Sequence, residues 1–253
     1  MKKEVINSTL CPTIYYYSEL GSTNSIARKF IAEKQELGFV IVSKVQTGGY
    51  GQRNSFWESP EGGLWCSMGI KPEFKISYLG MIPMLTALSV AKALEPYKLK
   101  TRLKWPNDIL LSSNNKKIGG ILVESKVSQR SLEYLIIGIG LNINNTLNQY
   151  SPSLRNKITT TFETLNEKIY LNDILIKIIK KIENELTLMK EGGELKILSD
   201  WKKWDNILGL DVKMISNNIE YHGIAKDISK NGQLLLELKD GRTIKFSSGH
   251  LVL

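Results

Sequence analysis

The sequence predicts an α+β body followed by a small, barrel-like β unit, and two observations carry this. Between Thr13 and Leu188, strand-like runs are interspersed with segments whose apolar residues recur at helical spacing. After Gly209 the texture changes to short strand-like runs separated by Asn217-Asn218, Asn231-Gly232 and Asp240-Gly241, the last two being hairpin signals. The expected division is therefore residues 1–208 and 209–253. At roughly 45 residues the second unit is too small to bury much core alone, so it should lean on the first.

In chain order, Thr13 to Tyr17 reads as a strand, and Ser22 or Thr23 can cap a helix through Ala27, Phe30 and Ile31. Phe39 to Lys44 is a β-rich run that gives way to Gly48-Gly49-Tyr50-Gly51, and Leu64 to Ile70 is the next strand. From Tyr78 to Leu94 small and apolar residues recur at helical spacing until Pro96 ends the pattern, which predicts a buried helix. Lys100 to Trp105 leads into a Pro-Asn-Asp turn, Ile109 to Leu111 resumes an extended course, and Ser112 to Lys116 suits a polar hairpin. Gly120 to Glu124 and Tyr134 to Ile143 are the remaining strands of the body. Phe162 to Leu188 fits two helices, and Trp201 and Trp204, three apart, can share one core-facing helical face. The C-terminal runs are Asp211 to Ile215, Glu220 to Ile228, Gln233 to Leu238 and Thr243 to Phe246.

With 253 residues, 42% hydrophobic and 23% charged, the composition excludes a disordered, collagen-like or disulfide-stapled chain. The formal charge of +9 invites a polyanion, but only six of the 34 basic residues are Arg and they are spread along the chain. Phosphate-backbone readers cluster their charge, so no specific nucleic-acid partner is expected. No run reaches roughly 18 continuous apolar residues, and Glu4 and Asn7 interrupt any signal-peptide core, so no membrane partner and a cytoplasmic location are expected. Cys11, Cys66, His222 and His250 show no zinc-site spacing, and no protein-held metal is expected; a divalent ion could still accompany a nucleotide.

Four segments can carry chemistry. Gly48, Gly49 and Gly51 leave bare backbone that can wrap a phosphate or a small ligand, and beyond them Arg53 can neutralise phosphate while Trp57 can cover a base or plug the core. Lys104-Trp105-Pro106-Asn107-Asp108 packs an ammonium, an indole, an amide and a carboxylate into one turn; Asp108 can accept hydrogen bonds or hold Mg²⁺. Lys117 stands at the mouth of Ile118-Gly119-Gly120-Ile121-Leu122, where one ammonium can reach both a phosphate and a carboxylate, as acyl activation demands. A glycine-rich strand then ends at Asn142, which can read an adenine edge or simply close a turn.

Taken in order, Gly21-Ser22-Thr23-Asn24, Gln46-Thr47 with the loop to Trp57, Lys104-Trp105-Pro106-Asn107-Asp108, Lys117 to Glu124 and Gly138-Ile139-Gly140-Leu141-Asn142 resemble the signature segments of biotin protein ligases, also called biotin-[acetyl-CoA-carboxylase] ligases. The resemblance covers essentially the whole chain. It implies a catalytic domain with a mixed sheet like that of class II aminoacyl-tRNA synthetases, an SH3-like C-terminal β-barrel, and the cofactors biotin, ATP and Mg²⁺. Biotin and ATP would form biotinyl-5′-AMP, and the acyl group would pass to a lysine of a biotin carboxyl carrier protein. By the same resemblance Ser22, Thr23 and Gln46 would bind the ureido ring, with Trp105 beside them. Lys117 would serve both half-reactions, Trp57 and Asn142 would hold adenine, and Asp108 would place Mg²⁺ or the attacking lysine. Gly49, Tyr50, Gly51, Gln52, Arg53, Asn107 and Gly120 complete the expected site. The resemblance also allows a homodimer. Relatives that repress transcription carry an N-terminal helix-turn-helix domain, for which a pattern beginning near Thr13 leaves no room.

The family loop reads Gly-Arg-Gly-Arg, whereas this chain has Gly49-Tyr50-Gly51-Gln52, so two arginines are missing. Arg53 is displaced by one position, which in an extended segment reverses side-chain direction. A lipoate-type ligase and a catalytically weak biotin- or adenylate-binding protein are the alternatives.

Overall fold

The computed structural model describes residues 1–129 and 131–252. Strand β1 (Lys2–Val5) runs antiparallel to β2 (Thr13–Leu20). Ser22, in extended conformation, occupies the N-cap position of α1 (Thr23–Lys34), which buries Ala27 and Phe30 against Tyr15, Phe39, Ile41 and Ile136. The chain returns as β3 (Phe39–Gln46), parallel to β2, and continues into β4 (Leu64–Ile70), buried at every position.

Helix α2 (Ile82–Leu94) is followed by β5 (Thr101–Lys104), β6 (Asp108–Leu111), β7 (Lys117–Ser128) and β8 (Ser131–Leu141). Helices α3 (Pro152–Arg155), α4 (Thr161–Leu165), α5 (Leu171–Lys190) and α6 (Glu194–Lys203) complete the body. The sheet is mixed, in the order β1-β2-β3-β4-β8-β7-β6-β5. The helical run Ile76–Tyr97 has the length and composition of a membrane span, with a mean hydropathy of 1.4 over its most apolar window. Two-thirds of that window is buried, and α2 packs on α5, α6 and β7, so its apolarity is that of a core helix.

The C-terminal unit consists of β9 (Asp211–Ser216), β10 (Ile219–Ile228), β11 (Leu234–Leu238), β12 (Thr243–Phe246) and β13 (His250–Val252), in the order β12-β11-β10-β9-β13. The hairpins fall where the sequence placed them: Asn217 and Asn218 both take positive φ, as do Gly232 and Gly241. The expected closed barrel is not formed. Edge strands β12 and β13 share no ladder among the described residues; β12 pairs with β11 and β13 with β9. Four Cα steps join Phe246 to His250, a reach of at most about 14 Å. A flat five-stranded sheet would need roughly 19 Å between its edges. The sheet is therefore strongly curled, yet β13 is only three residues long and its ladder is taken up by β9, which leaves the cylinder open. The final residue of the expected 209–253 unit lies outside the described residues.

One apolar core runs through both units, joining Ile82, Leu103 and Trp105 to Val212, Met214, Leu234 and Leu251. Trp105 is 1% exposed, and its Nε1 donates to the Gly232 carbonyl at 2.9 Å. The small unit leans on the large one, as its length requires.

Candidate active site

A cavity of about 380 Å³ opens where β7, β8, the 47–57 loop, the 104–108 turn and the start of β13 meet. That is within the usual range for a small-molecule site.

The loop is built on close backbone approach. Gly48 N donates to Gly21 O at 2.8 Å and Trp57 N to Gly49 O at 2.9 Å. A Cβ added to Gly49 would lie 2.6 Å from the Trp57 carbonyl oxygen, so only glycine lets the two limbs meet. The return limb lays Trp57 on the sheet: Cβ atoms at Gly140 and Gly120 would sit 2.8 Å and 3.4 Å from its ring. Gly138 likewise makes room for Asn24. These glycines, spaced along β7 and β8, let Trp57 and Asn24 lie directly on the sheet.

The 104–108 turn, with its cis Trp105–Pro106 peptide, is clamped to β7. Asn107 Nδ2 donates to Ile121 O at 2.7 Å, and Ile121 N donates to Asn107 O at 3.0 Å. This register brings Asp108 opposite Gly120 and places its Oδ1 2.6 Å from Lys117 Nζ. The same ammonium lies 5.0 Å from the Trp57 ring centroid, within cation–π range. Lys104 also lines the cavity; burial, reinforced by Lys117, holds its ammonium below the usual lysine range, while Asp108 acts the other way.

At the opposite end Thr23 donates from N and Oγ1 to Gln46 Oε1 at 2.8 Å and 3.1 Å, and Gln46 Nε2 donates to Ser59 Oγ at 2.8 Å. Ser67 Oγ, on β4, bonds both Thr23 and Asn24. Asn24 Nδ2 donates to Glu124 Oε2 at 3.1 Å. A row of donors and acceptors is thus fixed on the wall formed by α1, β3 and β4, beside Ser22.

The cavity gathers Ser22, Thr23, Gln46, Tyr50, Gly51, Gln52, Arg53, Trp57, Trp105, Asn107, Asp108, Lys117 and Gly120. Gly49 supports the loop without lining the cavity. Asn142 is also outside the lining: it is 2% exposed, its Nδ2 donates to Thr159 O, and its Oδ1 accepts from Tyr150. One N–H of its amide and one lone pair of its oxygen are thus engaged within the protein, as in a turn-closing residue.

The loop also differs from the extended course assumed for Arg53. Residues 52–54 form a 3₁₀ turn with Arg53 and Asn54 at positive φ, so strand alternation does not govern Arg53. It lines the cavity, and its Nη2 donates to Ile215 O on β9 at 3.3 Å. Tyr50 donates to Glu124 Oε1 at 3.3 Å and accepts from Arg28, whose guanidinium pairs with Glu124 at 2.6 Å. The sequence did not single out Asn24, Cys66 or Gly249-His250-Leu251 as site residues, yet all line the cavity. The C-terminal residues have no local signal, because their position depends on how the small sheet docks.

Comparison with known proteins accounts for this constellation. The Biotin/lipoate A/B protein ligase family profile matches residues 17–142, and that of the Biotin protein ligase C terminal domain matches residues 207–252. The chain is 30% identical over 236 residues to the bifunctional ligase/repressor BirA of Salmonella typhimurium, covering 92% of this chain and 72% of that protein. BirA of Bacillus subtilis is 29% identical over 243 residues, 95% of this chain and 73% of its own length. The structure of biotin protein ligase from Aquifex aeolicus in complex with biotin and ATP superposes with a TM-score of 0.80 at 27% identity, covering 94% of this chain and 97% of that one. The chain belongs to the biotin protein ligase family.

Proposed function

We propose that this protein uses ATP to activate biotin as biotinyl-5′-AMP and transfers the acyl group to a lysine of a biotin carboxyl carrier protein, with acetyl-CoA carboxylase as the enzyme served. The observation that carries the reading is the Lys117–Asp108 pair at 2.6 Å beneath Trp57, set in one cavity with the polar Thr23–Gln46 wall.

In this reading the Ser22, Thr23 and Gln46 wall takes the ureido ring, and Trp105 supports the pocket from below. Lys117 Nζ bonds the biotin carboxylate and then the α-phosphate. Bringing two anions together requires a fixed cation aimed at the charge that develops between them. Trp57, held flat on Gly120 and Gly140, covers the adenine. Among the described residues no group of three or more His, Cys, Asp or Glu converges. Mg²⁺ therefore fits as a partner of the nucleotide's own phosphate oxygens rather than as a caged ion, and Asp108 orients Lys117. Residues 1–208 form the catalytic unit and 209–253 its cap.

The test is direct. Purified protein with biotin, ATP and Mg²⁺ should form biotinyl-AMP and release pyrophosphate, then label a purified acetyl-CoA carboxylase carrier domain in a mass-resolved assay. No adenylate, or equal transfer of lipoate, overturns the reading. The loop makes a further expectation: Gln52→Arg should restore a second guanidinium beside Arg53 and slow escape of biotinyl-AMP several-fold. An unchanged escape rate would show that position 52 does not clamp the adenylate.

A further inference from the structure

The C-terminal unit brings one titratable side chain to the cavity. His250 begins β13, and with Gly249 and Leu251 it lines the rim. The strand is firmly seated: Leu251 is 2% exposed, and a Cβ added to Gly249 would lie 2.3 Å from Met214 Sδ. Pairing of His250 with Ile215 puts it beside the segment whose carbonyl receives Arg53. His250 itself remains exposed to solvent.

We propose that His250 is a catalytic base of the transfer half-reaction, accepting the proton that the acceptor lysine must shed before it attacks the acyl-adenylate. The inference rests on the ligase reading above. The acceptor ammonium gives one proton to the imidazole, which passes it to water; the neutral nitrogen then bonds to the acyl carbon, the acyl carbon–oxygen bond breaks with its electron pair leaving on AMP, and the second proton on that nitrogen leaves to solvent as the amide forms.

The neighbouring groups favour this role. An unperturbed lysine has a pKa near 10.4, so attack at neutral pH needs an acceptor for its proton. The Asp108 Oδ1 oxygen is bonded to Lys117, and Tyr50 is held by Glu124 and Arg28. Partial burial lowers the imidazole pKa below its ordinary 6.5; Lys104 on β5, Arg53 on the loop and Lys117 on β7 lower it further, and Asp108 on β6 opposes them. On the adjacent strand β9, Lys213 is paired with Glu220. The side chain is thus neutral at pH 7, ready to accept a proton, and open to the solvent that must remove it.

The experiment separates the half-reactions. Wild-type, His250→Gln and His250→Asn proteins are loaded with biotin and ATP, and the appearance of biotinyl-AMP is followed by rapid quench. A purified acetyl-CoA carboxylase carrier domain is then added and single-turnover transfer is measured from pH 5.5 to 9. Transfer should fall at least tenfold more than adenylation in both variants. The wild-type inflection below pH 6.5 should disappear, and added imidazole should restore part of the rate. Hydroxylamine, already neutral at pH 7, should discharge the adenylate equally well in all three proteins. Equal losses in both half-reactions, an unchanged pH profile, or equal slowing with hydroxylamine would overturn the proposal. Absence of biotinyl-AMP in the wild type would instead overturn the ligase reading itself.

Discussion

Lys117→Ala should lower the rate of biotinyl-AMP formation by about 10²–10³-fold, the range seen when one preorganised donor to a developing anion is removed. The residue does more than supply charge. Its Nζ is fixed between Asp108 Oδ1 at 2.6 Å and the Trp57 face at 5.0 Å, so the cation is already oriented before substrate arrives. Removing it leaves the partly buried Asp108 carboxylate without its ion partner, close to where two further anions must bind. Lys117→Arg should not rescue. The planar guanidinium cannot occupy the place of a compact ammonium against Gly120, where a single added carbon would already lie 3.3 Å from the lysine chain. Pyrophosphate release at saturating biotin and ATP checks both variants. Near-normal rates in the alanine variant would mean that another cation drives activation.

Trp105→Ala should have the largest effect on stability, about 3–5 kcal/mol by the usual cost of truncating a buried aromatic. Trp105 is 1% exposed, packs from the 104–108 turn against the small sheet, and donates to Gly232 O at 2.9 Å. Its loss would leave a cavity and an unpaired carbonyl where the two units meet. Urea unfolding of the full chain gives the readout: the midpoint should drop while the ligand-free protein retains its secondary structure. A shift below 1 kcal/mol would show that the small unit is held elsewhere. Trp105→Phe, which keeps most of the apolar volume and loses the N–H, should recover more than half of the stability.

The elements were largely legible from local pattern. Pro96, the Asn-Gly and Asp-Gly turns, and the helical spacing of Tyr78 to Leu94 each record a constraint that acts over a few residues. The site was legible where one segment carries its own chemistry, as at Lys104–Asp108 and Lys117–Gly120. It was not legible where function depends on what faces what. The glycine at 140 looks like a strand-end break in sequence, and only the packing shows that it receives the Trp57 ring. Asn142 has the right chemistry for a base edge, and only the packing shows that Thr159 and Tyr150 also engage it. The barrel failed for a similar reason: hairpin signals report turns, while closure depends on whether the two outermost strands have enough free length to meet, and β13 does not. His250 is three residues from the chain end, with no neighbouring motif, so its place at the rim follows entirely from docking.

The continuous core between the two sheets bears on how such a protein can be recombined. The 207–252 segment matches a family profile of its own, which suggests a module that could be exchanged between ligases. Its inner face, however, is cut to fit this particular body: a Cβ on Gly80 would lie 2.8 Å from the Asn231 carbonyl oxygen, one on Gly232 would lie 2.8 Å from the Gly80 carbonyl oxygen, and Trp105 reaches into the same seam. A chimera that swaps the cap while keeping the body would inherit mismatched halves of that seam. The unit of exchange is the pair, and a designer who wants another cap must transplant the 80–81 backbone and the 103–108 turn with it.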